Sequence, residues 1–137
     1  MKIYYAHHIW KYGTPIETFE MSVIKNGFDF GDGFEIVNPK DTLPQNIPES
    51  EIMKQAFAMI DQCDAVVFST VSGVIGHGVF DEVMYALNKG IQVFCLMGDD
   101  CYLVEDKDIF KDVIFQGDNR VYALVHTPLE YEDQEEK

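Results

Sequence analysis

The feature that most constrains this chain is Asp64-Ala65-Val66-Val67-Phe68-Ser69-Thr70, a continuous apolar run that closes in hydroxyls. A strand with one wet face alternates apolar and polar residues, whereas one that is apolar at every position fits a central parallel strand covered on both sides. Such a strand requires helices above and below it, so its flanking segments should show helical periodicity.

They do. Glu49 to Gln62 carries Ile52, Ala56, Met59 and Ile60 on one stripe, and Val79 to Asn88 carries Val79, Val83, Ala86 and Leu87, with Lys89-Gly90 as its stop. Ile91 to Met97 then reads as a further strand. Toward the amino terminus, Lys2 to Ala6 is strand-like, and Thr14-Pro15-Ile16-Glu17 supplies a cap, a first-turn proline and a Glu three residues after the cap. Ile16, Phe19, Val23 and Ile24 are the apolar positions expected to pack that helix, which ends at Asn26-Gly27. A glycine-rich turn, Phe28 to Gly33, leads to a short strand, Phe34 to Val37, stopped by Asn38-Pro39, and a polar loop runs from Lys40 to Pro48. A short helix near Asp108 to Ile114 and a strand from Arg120 to Val125 complete the reading. The architecture expected is one α/β domain over 1–128, followed by an acidic tail over 129–137. Within that domain we expect a three-layer sandwich around a short, mostly parallel five-stranded sheet of flavodoxin or Rossmann type.

Charge removes several classes of partner. With 24 acidic against 10 basic residues and a net charge of −14, the summed field repels phosphate polymers and anionic membranes. Double-stranded nucleic acid and membrane surfaces are therefore not expected. No apolar run approaches the roughly 20 residues of a membrane span, and the first residues lack a secretory pattern, so a cytoplasmic protein is expected. Cys63, Cys95 and Cys101 form no CxxC pair and read as free thiols. No metal or other cofactor is expected: the adjacent His7 and His8 do not share a face on an extended chain. A Ser-His-Asp triad has no support, since Gly-x-Ser-x-Gly is absent.

In open parallel sheets ligands sit outside the carboxyl ends of the strands. After the central strand, Ser69, Ser72, Gly73, Gly76, His77 and Gly78 belong to a glycine-rich connection entering a helix, where free amides and hydroxyls could hold a small anion or a sugar. Glu82 lies about one turn into that helix and faces the strand ends if the apolar stripe faces the sheet. The helix amino terminus favours its ionised form, which suits a nucleophile or base. Asp81, about 100° around the helix, is expected in solvent. After the first strand, His7 and His8 could hydrogen-bond a ligand and Trp10 could stack on a planar one. Tyr12, Phe28, Phe30 and Phe34 read as either the same cover or core packing.

Ile3-Tyr4-Tyr5-Ala6, Asn38-Pro39, Cys63-Asp64-Ala65-Val66-Val67 and Gly78-Val79-Phe80-Asp81-Glu82-Val83-Met84-Tyr85-Ala86 occur in the right order for a family pattern. Over roughly Met1 to Met97 the chain resembles the nucleoside 2-deoxyribosyltransferase superfamily, which includes deoxynucleoside 5'-monophosphate N-glycosidases. The resemblance implies a catalytic Glu at Glu82, oriented by a first-strand tyrosine at Tyr4, with Tyr5 as the alternative. It implies attack of that carboxylate on an anomeric carbon as a nucleobase departs. It also implies a homodimer, for which Met53, Phe57 and Met84 are the expected contact. The pattern is broken at Ala56 and Gly76, where relatives often carry polar or acidic groups. Gln55, Glu51 and His77 are the candidate substitutes. Few basic residues lie near these loops, with Lys11 alone in the first, which favours a nucleoside or monophosphate over a polyphosphate. The competing reading is a noncatalytic nucleotide-binding module of the same fold.

Overall fold

The computed structural model describes residues 1–31, 33–44, 46–106, 108–114 and 120–124. The chain runs β1 (Lys2–Ala6), a 3-10 turn (Ile9–Lys11), α1 (Pro15–Phe28), β2 (Glu35–Val37), α2 (Pro39–Thr42), α3 (Glu49–Ile60) and β3 (Ala65–Phe68). It continues through β4 (Val74–Gly76), α4 (His77–Asn88), β5 (Gln92–Met97), β6 (Asp100–Val104), β7 (Phe110–Ile114) and β8 (Arg120–Leu124). The end of the last expected strand at Val125, His126 and the acidic tail lie outside the described residues.

The apolar run forms the centre of a five-stranded sheet of order β2-β1-β3-β5-β6. β1, β2, β3 and β5 are parallel, and β6 returns antiparallel from β5. All four residues of β3 are at most 1% exposed, and each large apolar side chain so buried contributes about 1.5–3 kcal/mol. Alternation divides the sheet cleanly between its faces. Tyr4, Ala6, Val66, Phe68, Val93 and Cys95 pack with Ala56 and Ile60 of α3 and with Val79, Val83 and Ala86 of α4. Ile3, Tyr5, Ala65, Val67 and Leu96 pack with Val23 and Ile24 of α1 on the other face.

Four expectations are corrected. Phe110–Ile114 is a strand rather than a helix, because its backbone is claimed by antiparallel pairing with β8. The fifth strand of the main sheet is β6, while Arg120–Leu124 joins a separate antiparallel sheet of order β4-β8-β7. Within the polar loop after β2, Pro39–Thr42 forms a short helix, with Asn38 accepting from the Lys40 amide as its cap. Finally, α1 does not bury Ile16 and Phe19, which are 56% and 53% exposed; its inward positions include Glu17 and Glu20. Two glutamates can face inward because cations from elsewhere in the fold meet them there.

Aromatic contacts fix the second sheet over the site end of the first. Phe80 of α4 stacks on Tyr122 of β8 with centroids 3.6 Å apart. Phe110 of β7 meets both Phe80 and Phe68, the last residue of β3.

Candidate active site

The connection after β3 is not an open loop. Val71 and Val74 exchange backbone hydrogen bonds at 2.9 and 3.1 Å across Ser72 and Gly73, whose φ values of 53° and 78° make a tight two-residue turn of the I′ kind. Ser72 and Gly73 are exposed at its tip, and the Gly73 carbonyl accepts from the Leu124 amide. Val74–Gly76 then pairs with β8, so the expected anion-cradling loop is largely consumed in sheet hydrogen bonds. Gly76 occupies the N-cap of α4 without a side chain to cap it, and His77 and Gly78 open the helix. His77 turns back to Asp81 at 3.0 Å, one helical turn on, and is half exposed.

Because α4 begins at His77 instead of Val79, Glu82 lies in its second turn, where the field of the helix terminus has faded. Burial decides its chemistry instead. Glu82 is 8% exposed, and desolvation pushes its carboxyl up to about 7, against a lowering contact from Tyr4 and with the Asp81 charge adding to the rise. The expectation that the helix terminus favours the ionised form is thus corrected: burial favours the protonated form, and the group titrates near neutral pH.

The strand-one tyrosines part across the sheet. Tyr4 faces α4 with its hydroxyl fully buried, and that hydroxyl closes no hydrogen bond of good geometry. Burial raises its pKa first, then the charge of Glu82 and a hydroxyl–carboxylate contact with it. The pair are therefore neighbours whose hydrogen bond is unformed. Tyr5 instead faces α1 and donates to Glu20. Tyr12, at the end of the 3-10 turn, is held up at about 12 by burial and then by Glu82's charge, which puts a second phenol in the field of the same carboxylate.

On the α1 face the structure assembles a buried polar cluster that sequence reasoning missed. Lys11, 7% exposed, donates to Glu20 at 2.9 Å, to the Ser69 hydroxyl at 2.9 Å and to the Thr70 carbonyl at 2.8 Å. Ser69 in turn donates to Glu20 at 2.7 Å. His7 stacks on Tyr5, with its Nδ1 3.0 Å from the Tyr5 carbonyl and its Nε2 2.7 Å from Glu17. Burial pulls His7 below its ordinary pKa while Glu17 pushes it back up. Burial alone would raise Glu17, but bonds from His7, the Gly13 amide, Lys40 and Asn38 hold it down at about 2. His7 and Ser69 were expected to bind ligand; both are committed to this cluster. The available signal was the placement of Glu17 and Glu20 three residues apart on a helix beside a lysine-bearing loop.

His8 and Trp10 are more accessible. The Trp10 amide donates to His8 Nδ1 at 3.0 Å, and the Trp10 indole, 74% exposed, leans on the imidazole with centroids 4.4 Å apart. Of the expected aromatic cover, Phe28 packs edge-on to Phe94 in the α1-side core and Phe34 packs beside it. Ala56 is core. Gln55 and Glu51 are exposed, with Glu51 3.6 Å from Lys54. Phe57 stacks on Tyr85 at 4.2 Å, and Met53, Phe57 and Met84 are each half-buried rather than fully exposed. The large apolar side chains that are exposed include Ile9, Trp10, Ile16, Phe19 and Phe30.

Two hollows, of about 110 and 380 Å³, open at the amino ends of the strands, lined by residues such as Lys2, Glu35 and Cys63 in one and Met1, Phe28 and Phe34 in the other. Neither is lined by Tyr4 or Glu82. Among the described residues no group of three or more His, Cys, Asp or Glu could hold a metal ion, and no helix is long and apolar enough to cross a membrane. All three thiols are free, and burial pushes each of them up to between about 11 and 12. Comparison with family models, curated proteins and solved structures finds no match for this chain.

Proposed function

We propose that this chain breaks, or exchanges the base of, the N-glycosidic bond of a nucleoside or nucleoside 5'-monophosphate, with Glu82 as nucleophile and Tyr4 as the residue that orients it. The observation that carries this reading is a buried carboxyl held at about 7 beside a buried hydroxyl that has no partner. An unsatisfied hydroxyl costs about 1–3 kcal/mol, and strain of that kind concentrates where function requires it.

The strand order, with helices on both faces, reads as flavodoxin-like. The chain leaves β1 for β2 on one side and later returns to β3 on the other, so the reversal point lies between the carboxyl ends of β1 and β3. Tyr4 stands two residues before the carboxyl end of β1, and Glu82 lies on α4, which follows β3 and β4. In the proposed reaction the ionised Glu82 attacks the anomeric carbon, the base leaves with the bonding pair, and water or a second base resolves the glycosyl-enzyme. A small shift of the Tyr4 phenol toward Glu82 would close that hydrogen bond and stabilise the ionised form that attacks.

A noncatalytic nucleotide-binding module is the second reading, favoured by the burial of Glu82 away from both hollows. Incubation with a panel of nucleosides and 5'-monophosphates, with and without acceptor base, separates the two. An enzyme releases or exchanges base, and Glu82→Gln abolishes turnover while leaving binding intact. A binder releases no base, and Glu82→Gln retains or gains affinity.

A further inference from the structure

If an N-glycosidic bond breaks at Glu82, the departing base needs a hydrogen-bond donor, and most residues suited to that part are committed elsewhere. His7 and Ser69 are locked in the α1-side cluster, His77 is paired with Asp81, and Ala56 has no polar atom. His8 has a different geometry. A Cβ built on Gly76 would meet His8 Cδ2 at 3.4 Å and Nε2 at 3.9 Å, so the imidazole edge lies within van der Waals reach of the α4 N-cap. The Trp10 amide donates to Nδ1, which assigns the proton of the neutral ring to Nε2. Helical side chains lean toward the amino terminus of their helix, so Glu82 reaches back over the turn that starts at Gly78, the direction in which His8 lies.

We propose that His8, through its Nε2–H, is the hydrogen-bond donor to the leaving base, across the substrate from Glu82; this rests on the N-glycosidase reading above. As the C1'–N bond breaks, its electron pair goes to the base nitrogen and Glu82 forms the C1'–O bond. The departing base is stabilised by the Nε2–H bond and takes its proton from solvent, and water then hydrolyses the glycosyl-enzyme to the free sugar. Burial first, and then the positive charge of Lys11, holds His8 below its ordinary pKa, so the ring stays neutral in neutral solution. A neutral imidazole acts here by hydrogen bonding, as electrophilic histidines do elsewhere, without giving up its proton. A methyl at Gly76 would rest in ordinary contact with the ring, so only a side chain extending past Cβ would press on it. The Trp10 indole against the other side of His8 offers the base a stacking surface.

The test compares unactivated 2'-deoxynucleosides with a nitrophenyl 2-deoxyriboside, whose leaving group needs no donor. His8→Phe keeps a ring of similar size without the N–H, and His8→Gln restores a donor; thermal melts establish that both variants fold. The expected result is a loss of about 10²-fold in kcat on deoxynucleosides for His8→Phe, less than about threefold on the nitrophenyl substrate, and partial rescue by His8→Gln. An equal loss on both substrates, or none on either, overturns the assignment while leaving the Glu82 chemistry standing. Wild-type protein that releases nothing even from the nitrophenyl substrate overturns the glycosidase reading, and the role of His8 with it.

Discussion

Replacing Glu82 by glutamine tests the electrostatic state of the site without requiring a substrate. The carboxyl stands at about 7 in the folded protein against an ordinary value of 4.5. Between those two values the folded state holds more protons than the unfolded chain, so stability falls as pH rises through this window and levels off above it. With 1.36 kcal/mol per pH unit of difference, the carboxylate costs the native state about 3 kcal/mol at pH 8 and almost nothing at pH 4.5. Glutamine fits the same volume and never ionises. Glu82→Gln should therefore be about 3 kcal/mol more stable than wild type at pH 8, with the difference shrinking toward zero near pH 4.5. Urea unfolding at half-unit intervals from pH 4.5 to 8.5 measures it, with equal m-values confirming that the unfolded states are comparable. Taking the difference between the two proteins cancels Glu17 and His7, which titrate in both, and leaves Glu82 together with its coupling to Asp81. A difference that stays flat with pH would show that Glu82 is solvated, and the argument from burial would fail.

Two further outcomes follow from the same geometry. Lys11→Met takes the ammonium from the buried Glu20 carboxylate, leaving it the Tyr5 and Ser69 hydroxyls, and withdraws a donor from Ser69 and the Thr70 carbonyl, so it should cost about 3 kcal/mol; adding Glu20→Gln should recover part of that, and additive urea midpoints would refute the coupling. Tyr4→Phe removes a buried hydroxyl with no partner, so it should leave stability unchanged or raise it by about 1 kcal/mol while base release falls at least tenfold; a clear loss of stability would mean the hydroxyl is bonded in solution.

How much of this was legible in the sequence depended on where each residue's partners lie along the chain. β3 could be read directly, because four consecutive apolar residues bound for both faces of a sheet need no other information. The α4 stripe was legible for the same reason. α1 was misread because Ile16 and Phe19 carry the apolar signal while Glu17 and Glu20 hold the inward positions. Their burial is compensated by Lys11, His7 and Lys40, and no periodicity within the helix encodes those contacts. β7 was misread because its strand character comes from pairing with β8, a tertiary effect that overrides weak local preference. At the site, the position of Glu82 could be read but not its charge state. The helix starts two residues earlier than its apolar stripe suggests, which moves Glu82 out of the first turn, and desolvation, which no local pattern encodes, dominates its charge state.

The Lys11 anchor also bears on how the first loop holds together. One ammonium holds the segment after β1 to α1 and to the end of β3 at three points, so His8, Trp10 and Tyr12 ride on scaffold and have little slack of their own. Loss of that single ammonium would therefore loosen all three side chains together, rather than one at a time.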